Sequence, residues 1–163
     1  MATDWPRMES RGPRVDEALV SAFEHRHGIT LPDDYRRFLL EVNGGGLADE
    51  NTWVSHLFIN GLLSLAEKEH PSLDLETCAE WARHVLPHPD LLLIGYTDSG
   101  MLLLAHTGPH RGEVWTQDTV DPRPEGSNPR VLWHDRRDLK KLANSFEELT
   151  RKLEPQQTSA THA

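Results

Sequence analysis

Three observations predict an α+β fold in which an antiparallel β-meander packs against N-terminal and C-terminal helices. Apolar residues recur at helical spacing from Val15 to Val42 and again near the end of the chain. Between them, runs of strand length are joined by short turns, Thr97-Asp98-Ser99-Gly100 and Thr107 to Gly112. Strands joined so tightly must be antiparallel, because parallel neighbours need a crossover of about a dozen residues or more. Helices segregated from such a sheet place the chain in the α+β class.

The segment Met1 to Arg14 is polar and carries Trp5 and Met8 among Pro, Gly and charge. It is expected to be an arm, ordered only if those two residues dock. Val15, Leu19, Ala22 and Phe23 then mark a first helix, with Asp16 as its cap and Gly28 placed to end it. Leu31 is held extended by Pro32, which suits the first position of a second helix. Asp33 and Asp34 fall in its first turn, where the macrodipole favours negative charge. Tyr35, Phe38, Leu39 and Val42 complete an apolar stripe, and Asn43-Gly44-Gly45-Gly46 stops it.

Leu47 to Asn51 is expected to be an exposed loop. Trp53 to Ile59 is rich in β-branched and aromatic residues and is expected to be one strand, with Leu62 to Leu65 a second. Ser72 is the candidate cap of a helix carrying Leu75, Cys78, Ala79, Ala82, Val85 and Leu86 inward, ended by Pro87 and Pro89. Leu91 to Tyr96, Met101 to His106 and Glu113 to Gln117 are the three strands of the meander. Asp121 to Arg130, with its prolines, is expected to be a surface loop leading to a short segment, Val131 to Trp133. Asp135 is the candidate cap of a last helix whose apolar face is Leu139, Leu142, Ala143, Phe146, Leu149 and Leu153. The domain organisation expected is an arm over 1–14, one domain over 15–153 and a tail over 154–163.

The 163 residues suffice for one hydrophobic core without disulfides or a structural metal. Cys78 is the only cysteine, so an intramolecular disulfide and the Cys₂His₂ or Cys₄ zinc sites are excluded. The chain shows neither a secretory signal nor a long apolar run, and a cytoplasmic protein is expected. Acidic residues outnumber basic ones by 26 to 17, for a net charge of −9. Nucleic acid and anionic lipid are polyanions that select Lys/Arg clusters, so neither is an expected partner, whereas a basic partner would be steered in.

No motif in the chain carries recognisable chemistry. Gly44-Gly45-Gly46 follows a helix, whereas phosphate loops need a strand before and a helix after. The ten histidines lack ligand spacing: His25 and His27 point to different sides of a helix, Pro87 separates His84 from His88, and His106 and His110 flank a turn. Ser99 lies between two strands, where Asp98 and Gly100 simply make the turn and no nucleophile elbow forms. Glu147 and Glu148 sit on the polar side of a helix and cannot converge on one bond. No catalytic residue, metal or cofactor is assigned.

The order of elements carries a resemblance. Phe23-Glu24 through His27-Gly28-Ile29, then Leu31-Pro32-Asp33-Asp34-Tyr35-Arg36-Arg37-Phe38-Leu39, ending in Val42-Asn43-Gly44-Gly45, resembles the opening signature of the SMI1/KNR4 family, also called the SUKH superfamily. Leu92-Leu93-Ile94-Gly95 with Gly100-Met101-Leu102-Leu103-Leu104 resembles its central hairpin. Gly112-Glu113-Val114-Trp115 resembles the strand after it, and Ala143 to Leu149 its closing helix. The resemblance implies a non-enzymatic role: bacterial members are mostly cytoplasmic immunity proteins that neutralise a cognate toxin by direct binding, and fungal members are regulatory interaction proteins. The toxins are often nucleases or other nucleic-acid-modifying enzymes with basic grooves, which an acidic inhibitor would complement. The expected partner is therefore a cognate protein toxin, bound by a monomer or weak dimer; the alternative is a regulatory scaffold without a toxin. The candidate partner-binding residues are the loop acids Asp49, Glu50, Asp98, Asp118 and Asp121.

Overall fold

The computed structural model describes residues 5–86, 88–118 and 139–155. They contain four α-helices, α1 (Glu17–His27), α2 (Asp33–Glu41), α3 (Leu75–Val85) and α4 (Phe146–Lys152). Six strands, β1 (Trp53–Val54), β2 (Leu57–Leu62), β3 (Leu91–Thr97), β4 (Gly100–Ala105), β5 (Val114–Asp118) and β6 (Leu139–Ala143), form one sheet in chain order. Every neighbouring pair is antiparallel, and for β3, β4 and β5 this is what the short turns predict. Consecutive residues Leu91 to Gly95 and Met101 to Ala105 are all buried. Since successive side chains point to opposite faces, both faces of the central strands are covered.

Capping chemistry sets the helix ends. Asp16 Oδ1 accepts the Leu19 amide at 2.9 Å, and Gly28 closes α1 in the left-handed region. The core face of α1 is Val20 and Phe23, while Leu19, expected inside, is 40% exposed. Helix α2 buries Tyr35, Phe38 and Leu39 as expected, and Asp34 Oδ2 accepts the Glu147 amide at 2.9 Å, tying its start to α4.

The arm docks. Trp5 meets Phe38 edge-on at 5.2 Å between centroids and lies 6.0 Å from Phe146, and Met8 bridges to Leu47. The glycine run does more than stop α2. A Cβ on Gly44 would lie 2.2 Å from the Leu63 carbonyl oxygen, and one on Gly45 would lie 2.2 Å from that of Ser10. Both residues have positive φ (75° and 114°), so only glycine lets this backbone fit between the arm and the end of β2. Asn43, itself at φ 63° and buried, donates its amide to Pro13 O (2.6 Å) and Leu65 O (2.8 Å) and accepts from Leu65 N (2.8 Å).

Several expectations are corrected. Trp53 to Ile59 is a hairpin and not one strand: Ser55 and His56, at φ 49° and 68°, turn the chain between β1 and β2. Two positive φ values make a tight hairpin turn, which the sequence conceals because neither residue is Gly or Asn. Leu62 to Leu65 is not a separate strand; Leu62 ends β2, and Ser64 makes a single parallel bridge to Asp74. Leu47 and Ala48 are buried, leaving only the short 3₁₀ turn Asp49–Asn51 outside. Ser72 sits in a second 3₁₀ turn, Pro71–Leu73, and Asp74 caps α3 by accepting the Thr77 amide at 3.0 Å.

The largest correction is the last helix. Leu139 to Ala143 is strand β6, and α4 starts only at Phe146, where Ser145 Oγ accepts the Glu148 amide at 3.0 Å. Val114 pairs with Ala143 but Trp115 with Lys141, so Leu142 is an extra residue, and this bulge lets neighbours Leu142 and Ala143 both be buried. Spacings of three and four, typical of helices, thus arise here from a bulged strand. The expected cap Asp135, the loop 121–130, the segment Val131 to Trp133, the helix breaker Pro87 and the tail from Gln156 lie outside the described residues.

Candidate partner-binding surface

Cys78 and the paired glutamates of α4 make contacts that serve the fold. The Cys78 thiol is buried on the inner face of α3, 3.3 Å from Ser72 O and 3.4 Å from the Tyr96 hydroxyl. Burial pushes its pKa up, which keeps it a thiol and a poor nucleophile. Glu147 faces Arg37 at 3.4 Å and Arg151 at 3.5 Å, while Glu148 faces Lys152 at 3.1 Å. Three histidines, His27, His88 and His106, line one cavity of 310 Å³ between α1, α3 and the sheet. Burial holds His106 below its ordinary pKa, so the imidazole is neutral near pH 7. Among the described residues, no group of three or more His, Cys, Asp or Glu is arranged to hold a metal ion.

The acidic candidates fall on different elements. Asp49 and Glu50 are exposed in the 3₁₀ turn beside the arm, where Arg7 lies 3.2 Å from Glu50 and offsets part of its charge. Asp98 is exposed in the β3–β4 turn, which is pinned by its own amide donating to Phe58 O at 2.9 Å. Asp118 ends β5 opposite Gly100, so the meander brings it to the same end of the sheet as Asp98. Asp121 lies outside the described residues.

An apolar groove of 510 Å³ opens near Asp98, and no part of the sequence reading foresaw it. Its walls are Pro71 and Ser72 on one side, Thr77, Cys78 and Trp81 of α3 above, and Tyr96 with Gly100 and Met101 of the β3–β4 hairpin below. Tyr96 is fixed as a wall because its hydroxyl donates to Ser72 O at 3.0 Å. Met101 is its cross-strand partner and shares its face. Trp81 stands at the edge of the buried stripe of α3 and remains 43% exposed. The available signal was a tryptophan on the polar side of an amphipathic helix, where a charged residue is the ordinary choice.

The described residues form an α+β domain in which helices flank an antiparallel meander, with the apolar groove open beside the β3–β4 hairpin. The chain belongs to the SMI1 / KNR4 family (SUKH-1), whose family model matches residues 14–152. The match spans every helix and strand described above. No curated protein matches the chain. No helix among the described residues is long and apolar enough to cross a membrane.

Proposed function

We propose that this chain is an immunity protein that binds a cognate bacterial toxin in the cytoplasm and neutralises it by direct contact. The observation that carries the reading is family membership over 14–152 in a chain whose net charge is −9. Toxins that act on nucleic acid present basic substrate grooves, and an acidic partner gains association rate and specificity there from complementary charge. A nuclease or another nucleic-acid-modifying toxin is therefore the target class. The mode of action is stoichiometric: the protein occupies its partner, turns over no substrate and needs no cofactor.

The test is to purify the product of the gene beside this one and measure its nuclease activity with increasing amounts of this chain. Loss of activity at one equivalent, with co-elution of the two proteins, is the expected result. Full activity in the presence of excess chain, together with capture of several unrelated partners, would replace this reading with that of a regulatory scaffold. Substrate turnover by the purified chain alone, abolished by one polar substitution that leaves folding intact, would sink the non-catalytic role.

A further inference from the structure

We infer that the groove between the arm and the C-terminal end of α2 seats a carboxylate-bearing segment of the partner protein, held by Arg11 and Arg14. The inference rests on the proposed immunity role and adds a contact surface to it. The groove has a volume of 550 Å³, with Arg11, Gly12 and Arg14 on one wall and residues 39–43 on the other. Both arginines are exposed. The backbone that carries them is fixed: Gly12 N donates to Gly44 O at 3.4 Å, Asn43 Nδ2 donates to Pro13 O at 2.6 Å, and Gly46 N donates to Ser10 Oγ at 2.9 Å. A Cβ on Gly12 would lie 2.2 Å from Asn43 O, so the chain between the two arginines runs flush against the turn that follows α2. A partner that binds here orders two side chains and not the segment that bears them, which lowers the entropy cost of the contact.

The pairing of the other charges selects the sign of the occupant. The remaining described arginines are engaged with Glu side chains, as in Arg26 with Glu76 at 2.6 Å and Arg83 with Glu80 at 2.7 Å, or, for Arg111, with the carbonyls of Thr30 and Leu31 at 3.2 Å. Arg11 and Arg14 alone among the described arginines make no ion pair and no side-chain hydrogen bond with a described residue, and both line the same groove. The acids nearest to them are taken: Asp16 accepts the Leu19 amide, Glu17 pairs with Arg36, and Glu41 in the groove wall accepts Trp5 Nε1 at 2.5 Å. The negative end of the α2 macrodipole works against an anion here, so the attraction comes from the two guanidinium groups, each a planar fork that matches a carboxylate. A surface negative throughout would fit any basic groove. Two cations set in it reject partners that present no carboxylate at that point, which gives register and specificity to the complex. Nucleic acid and a second copy of this chain are poor occupants, since a net charge of −9 repels both.

Binding of the full-length chain to the purified neighbouring toxin is measured for wild type, for Arg11→Gln with Arg14→Gln, for Arg11→Lys with Arg14→Lys, and for Lys68→Glu, an exposed cation outside the groove. The glutamine double variant and Lys68→Glu change the net charge equally, so they separate the groove from charge at large. The glutamine double variant is expected to weaken binding by about tenfold or more, the lysine double variant by less, and Lys68→Glu to stay within about twofold of wild type. Thermal midpoints establish that each variant is folded. A glutamine double variant that binds within about twofold of wild type, or a loss that Lys68→Glu matches, would overturn the groove and leave the immunity reading standing. If the toxin does not bind wild type at all, the immunity reading fails and a second probe still decides the groove. That probe is a titration with the peptide acetyl-Gly-Glu-Glu-Gly-amide against acetyl-Gly-Gln-Gln-Gly-amide, read on the Gly12 amide resonance. A saturable shift with the glutamate peptide alone, lost in the glutamine double variant, supports the inference; no shift, equal shifts, or a shift that survives the double variant overturns it. So would an equal response to inorganic phosphate, or a wild-type dimer that the glutamine double variant dissociates, because each names a different occupant.

Discussion

Asn43 is the residue that most concisely links the family signature to physics. Its left-handed φ of 63° disfavours most side chains, yet its amide closes three hydrogen bonds that join the arm, the end of α2 and the loop after β2. Asn43→Ala removes all three and strands buried backbone groups, so a loss of roughly 3 kcal/mol is expected in urea unfolding. A loss below about 1 kcal/mol would show that these bonds contribute little. Tyr35 presents the opposite case. It is 1% exposed, its hydroxyl meets no hydrogen-bond partner among the described residues, and burial drives its pKa strongly upward. Tyr35→Phe keeps the edge-on contact with Phe146, 5.0 Å between centroids, and discards the stranded hydroxyl. A gain of about 1 kcal/mol is expected; a loss of that size would mean that the hydroxyl is satisfied. The sequence marks Tyr35, Phe38 and Leu39 as core by their spacing. It shows nothing of which hydroxyl finds a partner, because that depends on residues brought close only by folding.

Among the elements, the arm and the histidine-lined layer make separate predictions. Trp5→Ala removes the ring packed on Phe38 and Phe146 and should cost about 2 kcal/mol. It should also free the backbone pairing of Glu9 with Gly46 (2.8 Å) and Ala48 with Arg7 (3.0 Å), read as faster hydrogen exchange at Glu9 and Ala48. Unchanged exchange would show that the hydrogen bonds hold the arm without the ring. Between α1, α3 and the sheet, burial holds His106 below its ordinary value of 6.5. The unfolded chain then binds more protons than the folded one as pH falls through 6.5, so stability is full above that value and declines below it. The slope for one such histidine is at most ~1.4 kcal/mol per pH unit, and His106→Gln should flatten the curve between pH 7 and 5. Identical curves for the two proteins would remove His106 as the cause. Strand β6 shows why elements are only partly legible. Leu139, Leu142 and Ala143 fit a helical period, but the edge of β5 offers unpaired backbone groups, and pairing with a bulge at Leu142 satisfies them.

For the whole molecule, charge is the property a partner meets first. With a net charge of −9, association with a basic toxin should slow as salt rises. Joint reversal of Asp49, Glu50 and Asp118 to Lys should slow it by roughly tenfold at low salt and flatten that dependence. Unchanged association kinetics would remove these acids from the approaching face. The sequence by itself determined the α+β class, the first three helices and the three central strands: helical stripes, turn residues and apolar runs are local properties, written in residues a few positions apart. It also determined the net charge and the family signature. Only the tertiary structure decided that Gly44 and Gly45 are squeezed between the arm and Leu63, that 139–143 adds a sixth strand, and that Trp81, Tyr96 and Met101 share one groove. These outcomes depend on backbone and side chains from distant segments competing for the same space and the same hydrogen bonds, and no local pattern records that competition.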